Sequence, residues 1–229
     1  MNLPPLQIIA YIENDYTAKF AIPRQSGLVE TVESQIVFAD AYRNETALRG
    51  IEGYSHLWLL WIFSQAIRDT WSPTVLPPRL GGKTRMGVFA TRSPFRPNPI
   101  GLSSVRLLGV ERSTPRGPVL RVAGADLMDG TPLVDIKPYL PYTDSHPDAL
   151  GGFSDPVRDY RLEVVFPPAL LAQVPPRLRE PVVEILAQDP RPSYQHDPDR
   201  LYGAAFGGWD FRFRVRDGVL TVVEVEALK

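Results

Sequence analysis

The sequence predicts a mainly β chain: a barrel or strongly bent sheet, followed by a small α+β domain. Three observations lead there. Within residues 1–150, seven short segments are rich in β-branched or aromatic residues and are punctuated by Gly, Pro or Asn. Helical periodicity is scarce between them, which argues against a parallel βαβ fold. After residues 144–155 the composition shifts, and helical pieces and a hairpin follow.

The expected strands are 6–12, 35–39, 57–63, 87–91, 101–110, 119–123 and 133–136, with one short helix at 44–49. The most apolar run, residues 56–64, is too short to span a bilayer and reads as a buried strand. Residues 143–152 are polar and Gly-containing and read as a linker, giving domains 1–150 and 151–229. In the second domain a strand is expected at 160–166 and helices at 168–173 and 177–188. The chain ends in a hairpin, with Asp217-Gly218 as its turn. Alternation puts Phe211, Phe213 and Val215 on one face and Arg212, Arg214 and Arg216 on the other, so a basic face is expected there.

An apolar fraction of 44% and a charged fraction of 22% are those of an ordinary globular protein. There is no cysteine, which removes disulfides, thiolate metal sites and Cys nucleophiles. His56, His146 and His196 lie far apart in sequence, and no metal site is expected. No Walker motif and no G-x-G-x-x-G after a strand is present. The N-terminus lacks the charged and apolar regions of a signal peptide, so the expected location is the cytoplasm.

Charge is segregated. Between Thr70 and Val110 stand Arg79, Lys83, Arg85, Arg92, Arg96 and Arg106, and no acid, in a chain of formal charge -1. Arginine suits planar, bidentate contact with phosphate or carboxylate. Pro94, Pro97 and Pro99 stiffen the segment and hold Asn98 between two prolines. Composition alone also fits a Pro-rich connector with solvated arginines. A second cluster, 126–139, gathers three carboxylates, one Lys and one Tyr. Asp129-Gly130-Thr131-Pro132 is a turn by composition. On a following strand Asp135 and Lys137 share a face, and a carboxylate there can accept a proton; taken without the first cluster, an ordinary turn and a surface ion pair explain it better. A third cluster, Asp189-Pro190-Arg191-Pro192-Ser193-Tyr194, could grip a phosphate or stack on a base. A helix stop followed by a loop explains it nearly as well.

These strings resemble the TrmO (TsaA-like, YaeB) family of tRNA methyltransferases, most specifically through residues 85–101 and 129–141. The likeness extends to 20–25, 53–58, 78–82 and 187–194, and so spans most of the chain. The resemblance implies a single-sheet β-barrel methyltransferase domain that forms a homodimer and uses S-adenosylmethionine. Its implied substrate is threonylcarbamoyl-adenosine immediately 3′ of the tRNA anticodon, methylated on N6. It implies cofactor contacts from Pro23, Arg24, Gln25, Ser55, His56, Leu57, Arg92, Asp129, Gly130, Thr131 and Pro132. Asp189, Arg191 and Tyr194 are implied in tRNA binding.

The chemistry agrees with the residues. The N6 of a carbamoylated adenine is a poor nucleophile with a comparatively acidic N–H, so a carboxylate could take its proton during attack. Asp135 is the expected acceptor. Lys137 and Arg92 are expected on the threonyl carboxylate or a phosphate, Tyr139 on the base, and Arg85, Arg96 and Asn98 on the RNA. Two other readings use the same residues: a non-catalytic RNA-binding barrel, and a nucleotide hydrolase relying on Asp129 and Asp135.

Overall fold

A computed structural model describes residues 4–77, 80, 84–192, 195 and 197–228. The strands, in chain order, begin with β1 (Ala10–Glu13), β2 (Glu33–Phe38), β3 (His56–Ile62), β4 (Thr74–Val75), β5 (Met86–Gly87) and β6 (Ile100–Glu111). They continue with β7 (Val119–Ala123), β8 (Pro132–Pro138), β9 (Glu163–Val165), β10 (Tyr202–Phe206), β11 (Trp209–Arg216) and β12 (Val219–Ala227). The α-helices are α1 (Pro141–Asp144), α2 (Pro168–Leu171) and α3 (Pro176–Ala187).

Six strands close into an antiparallel barrel in the order β1-β2-β7-β6-β3-β8. Closure leaves no free edge. Its interior follows from alternation: Leu57, Leu59 and Trp61 of β3 point inward, with His56, Trp58 and Leu60 on the outer face. Ala10, Ile12, Ile36, Leu120, Val122 and Leu133 fill the same core. Gly101 of β6 is the cross-strand partner of Trp61. A Cβ there would stand 2.2 Å from the indole, so the ring occupies the space that a side chain would need.

The chain forms two compact units: residues 1–14, 25–71 and 94–145 make one, and 15–24, 72–93 and 146–229 the other. Two stretches of the N-terminal half thus cluster with the C-terminal residues. The second unit contains a four-stranded sheet, β10-β11-β12-β9, with β9 parallel to β12. Phe211, Phe213, Val215 and Val222 of the sheet and Leu178, Val182, Ile185 and Leu186 of α3 are all buried.

The expected strand at 87–91 is replaced by the two-residue β5 and a 3-10 turn, Val88–Ala90. The carbonyl of Val88 accepts from both the backbone and the hydroxyl of Thr91, which curls the chain. Strand β10 was not expected, because Gly203-Ala204-Ala205 has no β-branched residue; it is held by pairing with β11 and by buried Tyr202 and Phe206. The basic face of β11 is also corrected. Arg212 lies within 4 Å of Asp210, Glu224 and Glu226, and Arg216 pairs with Asp199. Asp210 precedes Arg212 by two residues on β11 itself, and the other acids come from β12 and the loop before β10, which alternation along one strand does not reveal.

Candidate active site

The first group of expected site residues lies outside the barrel, on its wall. A bulge in β8 sets this up: Leu60 pairs with Asp135 but Trp61 pairs with Leu133, leaving Val134 as the extra residue. The bulge shifts the parity of the strand. Leu133 therefore enters the core while Asp135 and Lys137 project outward. Lys137 Nζ is 2.8 Å from an Asp135 carboxylate oxygen, as expected for residues on one face. The other oxygen accepts the backbone N–H of Ile136 at 2.9 Å, which fixes the rotamer. Tyr139 joins them: its ring centroid is 5.5 Å from Trp58 and 6.1 Å from His56. Trp58 is fixed in turn, because its indole N–H donates to Asp144 at 2.8 Å. The result is a half-exposed aromatic surface beside an ion pair. It can stack a planar ring and offer both a proton acceptor and a cation at its edge.

Asp129-Gly130-Thr131-Pro132 lies at the opposite end of β8 from Ser55, His56 and Leu57, about 20 Å away for a strand of this length. The turn is tightly held. Asp129 accepts the backbone N–H of Asn14 at 3.0 Å, and Gly130, at φ 73°, donates to the Ile12 carbonyl at 2.8 Å. Thr131 is buried, and its hydroxyl donates to the Met128 carbonyl. Asp129 and Gly130 form part of the rim of an open hollow of about 640 Å³, shared with Tyr11, Val37, Asp40 and Arg43. That is a small-ligand volume. Carboxylates and carbonyls there can accept from hydroxyl and ammonium groups such as those of S-adenosylmethionine.

At the other end of β8, the Ser55 and His56 carbonyls accept from the N–H groups of Leu107 and Tyr139. The Leu57 side chain belongs to the core. Gln25 precedes a segment tied to the wall, in which Ser26 Oγ accepts from Ser104 N and Gly27 N donates to Gly124 O.

The Pro-rich loop is held by its own backbone and by the residue that follows β3. Arg96 N donates to Pro94 O, Ile100 N to Asn98 O, and Phe63 N to Pro99 O. The guanidinium of Arg68 lies 3.6 Å from the centroid of Phe95. This places Arg96 and Asn98 beside the C-terminal end of β3, the end that also carries the Pro132 side of β8.

Pro23, Arg24, Arg85, Arg92, Asp189 and Arg191 belong to the second unit. Arg85 donates to Thr74 Oγ1 at 3.0 Å, and Arg92 is exposed. Arg24 reaches the carbonyls of Asp189 and Arg191, both at 3.4 Å. Asp189 sits at φ 53°, a left-handed conformation that Asp tolerates better than most residues. Its carboxylate accepts from Arg191 Nε and Nη2 at 2.8 and 2.9 Å and from the Tyr160 hydroxyl at 3.0 Å. Burial alone would raise the Asp189 pKa; the hydrogen bonds and charge of Arg191 outweigh it, and the net shift is downward. Tyr160 is shifted upward, first by burial and then by the Asp189 charge. The Arg191 guanidinium therefore faces inward, onto Asp189, rather than solvent. Tyr194 lies outside the described residues.

Sequence reasoning missed Trp58 and the buried chain from Trp61 Nε1 through Ser103 to Asp126, with distances of 3.0 and 2.5 Å. Trp58 was accessible to it: once Leu57 and Leu59 face inward, a period of two puts Trp58 outside. Among the described residues no cluster of three or more His, Asp or Glu side chains could hold a metal ion, and no helix is long and apolar enough to cross a membrane.

The closed antiparallel barrel thus carries a carboxylate–ammonium pair and packed aromatic rings on its outer wall. Known proteins share both halves of the chain. Residues 11–145 match the tRNA-methyltransferase O N-terminal domain, and residues 159–228 match the TrmO C-terminal domain. The tRNA (adenine(37)-N6)-methyltransferase of Escherichia coli is 42% identical over 226 residues, covering 95% of this chain and 96% of that protein. A Pseudomonas aeruginosa relative with S-adenosylmethionine-dependent methyltransferase in its name is 42% identical over 88% of this chain and 87% of its own. The crystal structure of TrmO from Pseudomonas aeruginosa superposes with a TM-score of 0.77 at 35% identity, covering 99% of this chain and 100% of that one. The chain belongs to the TrmO family.

Proposed function

We propose that this chain methylates N6 of threonylcarbamoyl-adenosine immediately 3′ of the tRNA anticodon. The observation that carries this reading is the outward Asp135–Lys137 pair beside Trp58 and Tyr139, on a chain whose two halves both match the family. S-adenosylmethionine, when bound, supplies an already activated sulfonium methyl, so alignment and proton handling are what the protein must add. As the N6–methyl bond forms and the sulfur–methyl bond breaks, the Asp135 carboxylate takes the N6 proton. Lys137 binds the threonyl carboxylate, and Tyr139 with Trp58 stacks on the base.

Asp129, Gly130, Thr131 and Pro132 are assigned to the cofactor, with Gln25, Pro23, Arg24 and Arg92. Arg85, Arg96 and Asn98 are assigned to RNA phosphates and riboses. Asp189 and Arg191 shape the turn that leads into Tyr194. The chain works as a homodimer in the cytoplasm. A second copy would let Ser55, His56 and Leu57 of one protomer serve the 129–132 turn of the other, which one protomer holds at the far end of β8.

The test is mass spectrometry of anticodon-loop nucleosides, with and without enzyme and cofactor. A methyl gain on threonylcarbamoyl-adenosine is expected; its absence, with folded protein, sinks the reading. The non-catalytic RNA-binding alternative is favoured instead if millimolar S-adenosylmethionine gives no thermal stabilisation.

A further inference from the structure

We propose that Asp144 is a positioning residue for the methyl transfer: it sets the angle at which the Trp58 and Tyr139 rings receive the base, a role that rests on the function proposed above. All three residues lie in one compact unit. The two rings come from distant segments, Trp58 from β3 and Tyr139 from the residue after β8. Their centroids are 5.5 Å apart and their planes are tilted by 45°. One oxygen of Asp144 serves both segments. Oδ2 accepts the Trp58 indole N–H at 2.8 Å and the backbone N–H of Leu140, the neighbour of Tyr139, at 2.9 Å. Both distances are those of short, charge-assisted bonds. The indole N–H is the one polar group of a Trp side chain, so a bond to it fixes the rotation of the ring. The Trp58 ring and the backbone that carries Tyr139 are thus pinned to a single atom.

The carboxylate is itself held. Asp144 closes the single turn of α1, and its own N–H donates back to the Leu140 carbonyl at 2.8 Å. Leu140 and Asp144 therefore bind each other twice, once through backbone and once through side chain. Pro141, at the first helical position, presets the φ of that turn. On the other side Tyr139 N donates to the His56 carbonyl at 3.0 Å, which ties it to β3 as well. An aspartate that served only its own turn would need no more than the bonds to Leu140. The bond to Trp58, 86 positions away, is the additional one, and it lands on a ring of the proposed site. A platform that is already oriented loses little on binding and presents the base at one angle to the methyl donor.

The experiment uses the full chain, S-adenosylmethionine and an anticodon stem-loop carrying threonylcarbamoyl-adenosine. Methylation kinetics compare wild type, D144A, W58F and the double variant, with a thermal melt of each. W58F keeps an aromatic ring and removes the N–H. D144A and W58F should each lower kcat/KM for the stem-loop about tenfold, the scale of one lost hydrogen bond to a charged group. KM for S-adenosylmethionine should stay unchanged. W58F should add little once Asp144 is gone, because the N–H that it removes has then lost its acceptor. Independent effects would multiply instead, to about a hundredfold, and that result overturns the proposal. So does a D144A variant with wild-type kinetics, or one that raises KM for S-adenosylmethionine as much as for RNA, which would mark a general loss of structure. If D144A does not fold, W58F decides: normal turnover overturns the proposal, and a loss of about tenfold upholds it. If wild type itself does not methylate the stem-loop, the reading beneath falls first and the positioning role with it. If wild type methylates and D144A matches it, the positioning role alone falls.

Discussion

Asp135–Lys137 and Asp189–Arg191 have the same spacing in sequence and opposite settings in the molecule. The first lies on the outer wall of the barrel, with side chains 41% and 61% exposed. The second is 13% and 8% exposed and is tied further by Tyr160. Water screens the first pair, so it adds little stability and its carboxylate can meet a ligand. The second pair sits where each charge needs the other, so it holds a turn in a left-handed conformation and has no free face to offer. A carboxylate two residues before a cation therefore says nothing of its role until burial is known.

The comparison breaks or sharpens by mutation. Arg191→Ala leaves a carboxylate buried without its cation, and should cost about 3 kcal/mol. For a chain of this size that is a fall in melting temperature of about 10 °C. A normal melting temperature would erase the distinction between the pairs. Asp135→Asn should slow methyl transfer about a hundredfold, the lower range for a lost proton acceptor, while leaving stability unchanged. Near-normal turnover with bound cofactor would remove Asp135 from the chemistry.

Acid should separate the pairs further. Because the folded pKa of Asp189 lies below its unfolded value, its contribution is present above about pH 4 and is lost as pH falls through the folded value. Urea unfolding of Asp189→Asn should show less loss of stability in acid than wild type; equal acid dependence would contradict the pairing. Smallest of all, a double-mutant cycle on Asp135 and Lys137 should give a coupling in stability of less than about 1 kcal/mol. A larger value would mean that the pair is structural after all.

Much of the barrel was legible because its strands obey one rule. Strand β7 falls where β-branched composition places it, and β3 alternates as a half-buried strand should. The segment at 87–91 misled because Val88 and Phe89 carry strand propensity, yet the side chain of Thr91 competes for the backbone. Strand β10 was silent because its signal is pairing with β11, not composition. At the site, the Asp135–Lys137 pair was legible from spacing, and Tyr139 as its neighbour. The tilted ring contact of Tyr139 with Trp58 was not, because the two residues are 81 positions apart and meet only through the pairing of β3 with β8.

The sequence by itself determined the residue chemistry: an acid-free run of arginines, proline-stiffened loops, a carboxylate and an ammonium on one strand face, and family strings specific enough to name. Those are local properties, set by composition and by the two-residue period of a strand. Tertiary structure decided which side of the wall each group faces, since the bulge at Val134 turns Asp135 outward while Leu133 stays in. It also decided which charges are consumed: Arg212 among three carboxylates and Arg191 on Asp189. Burial is set by contacts between distant segments: Asp189 and Arg191 are near neighbours in sequence, as are Asp135 and Lys137, and only packing makes one pair buried and leaves the other exposed.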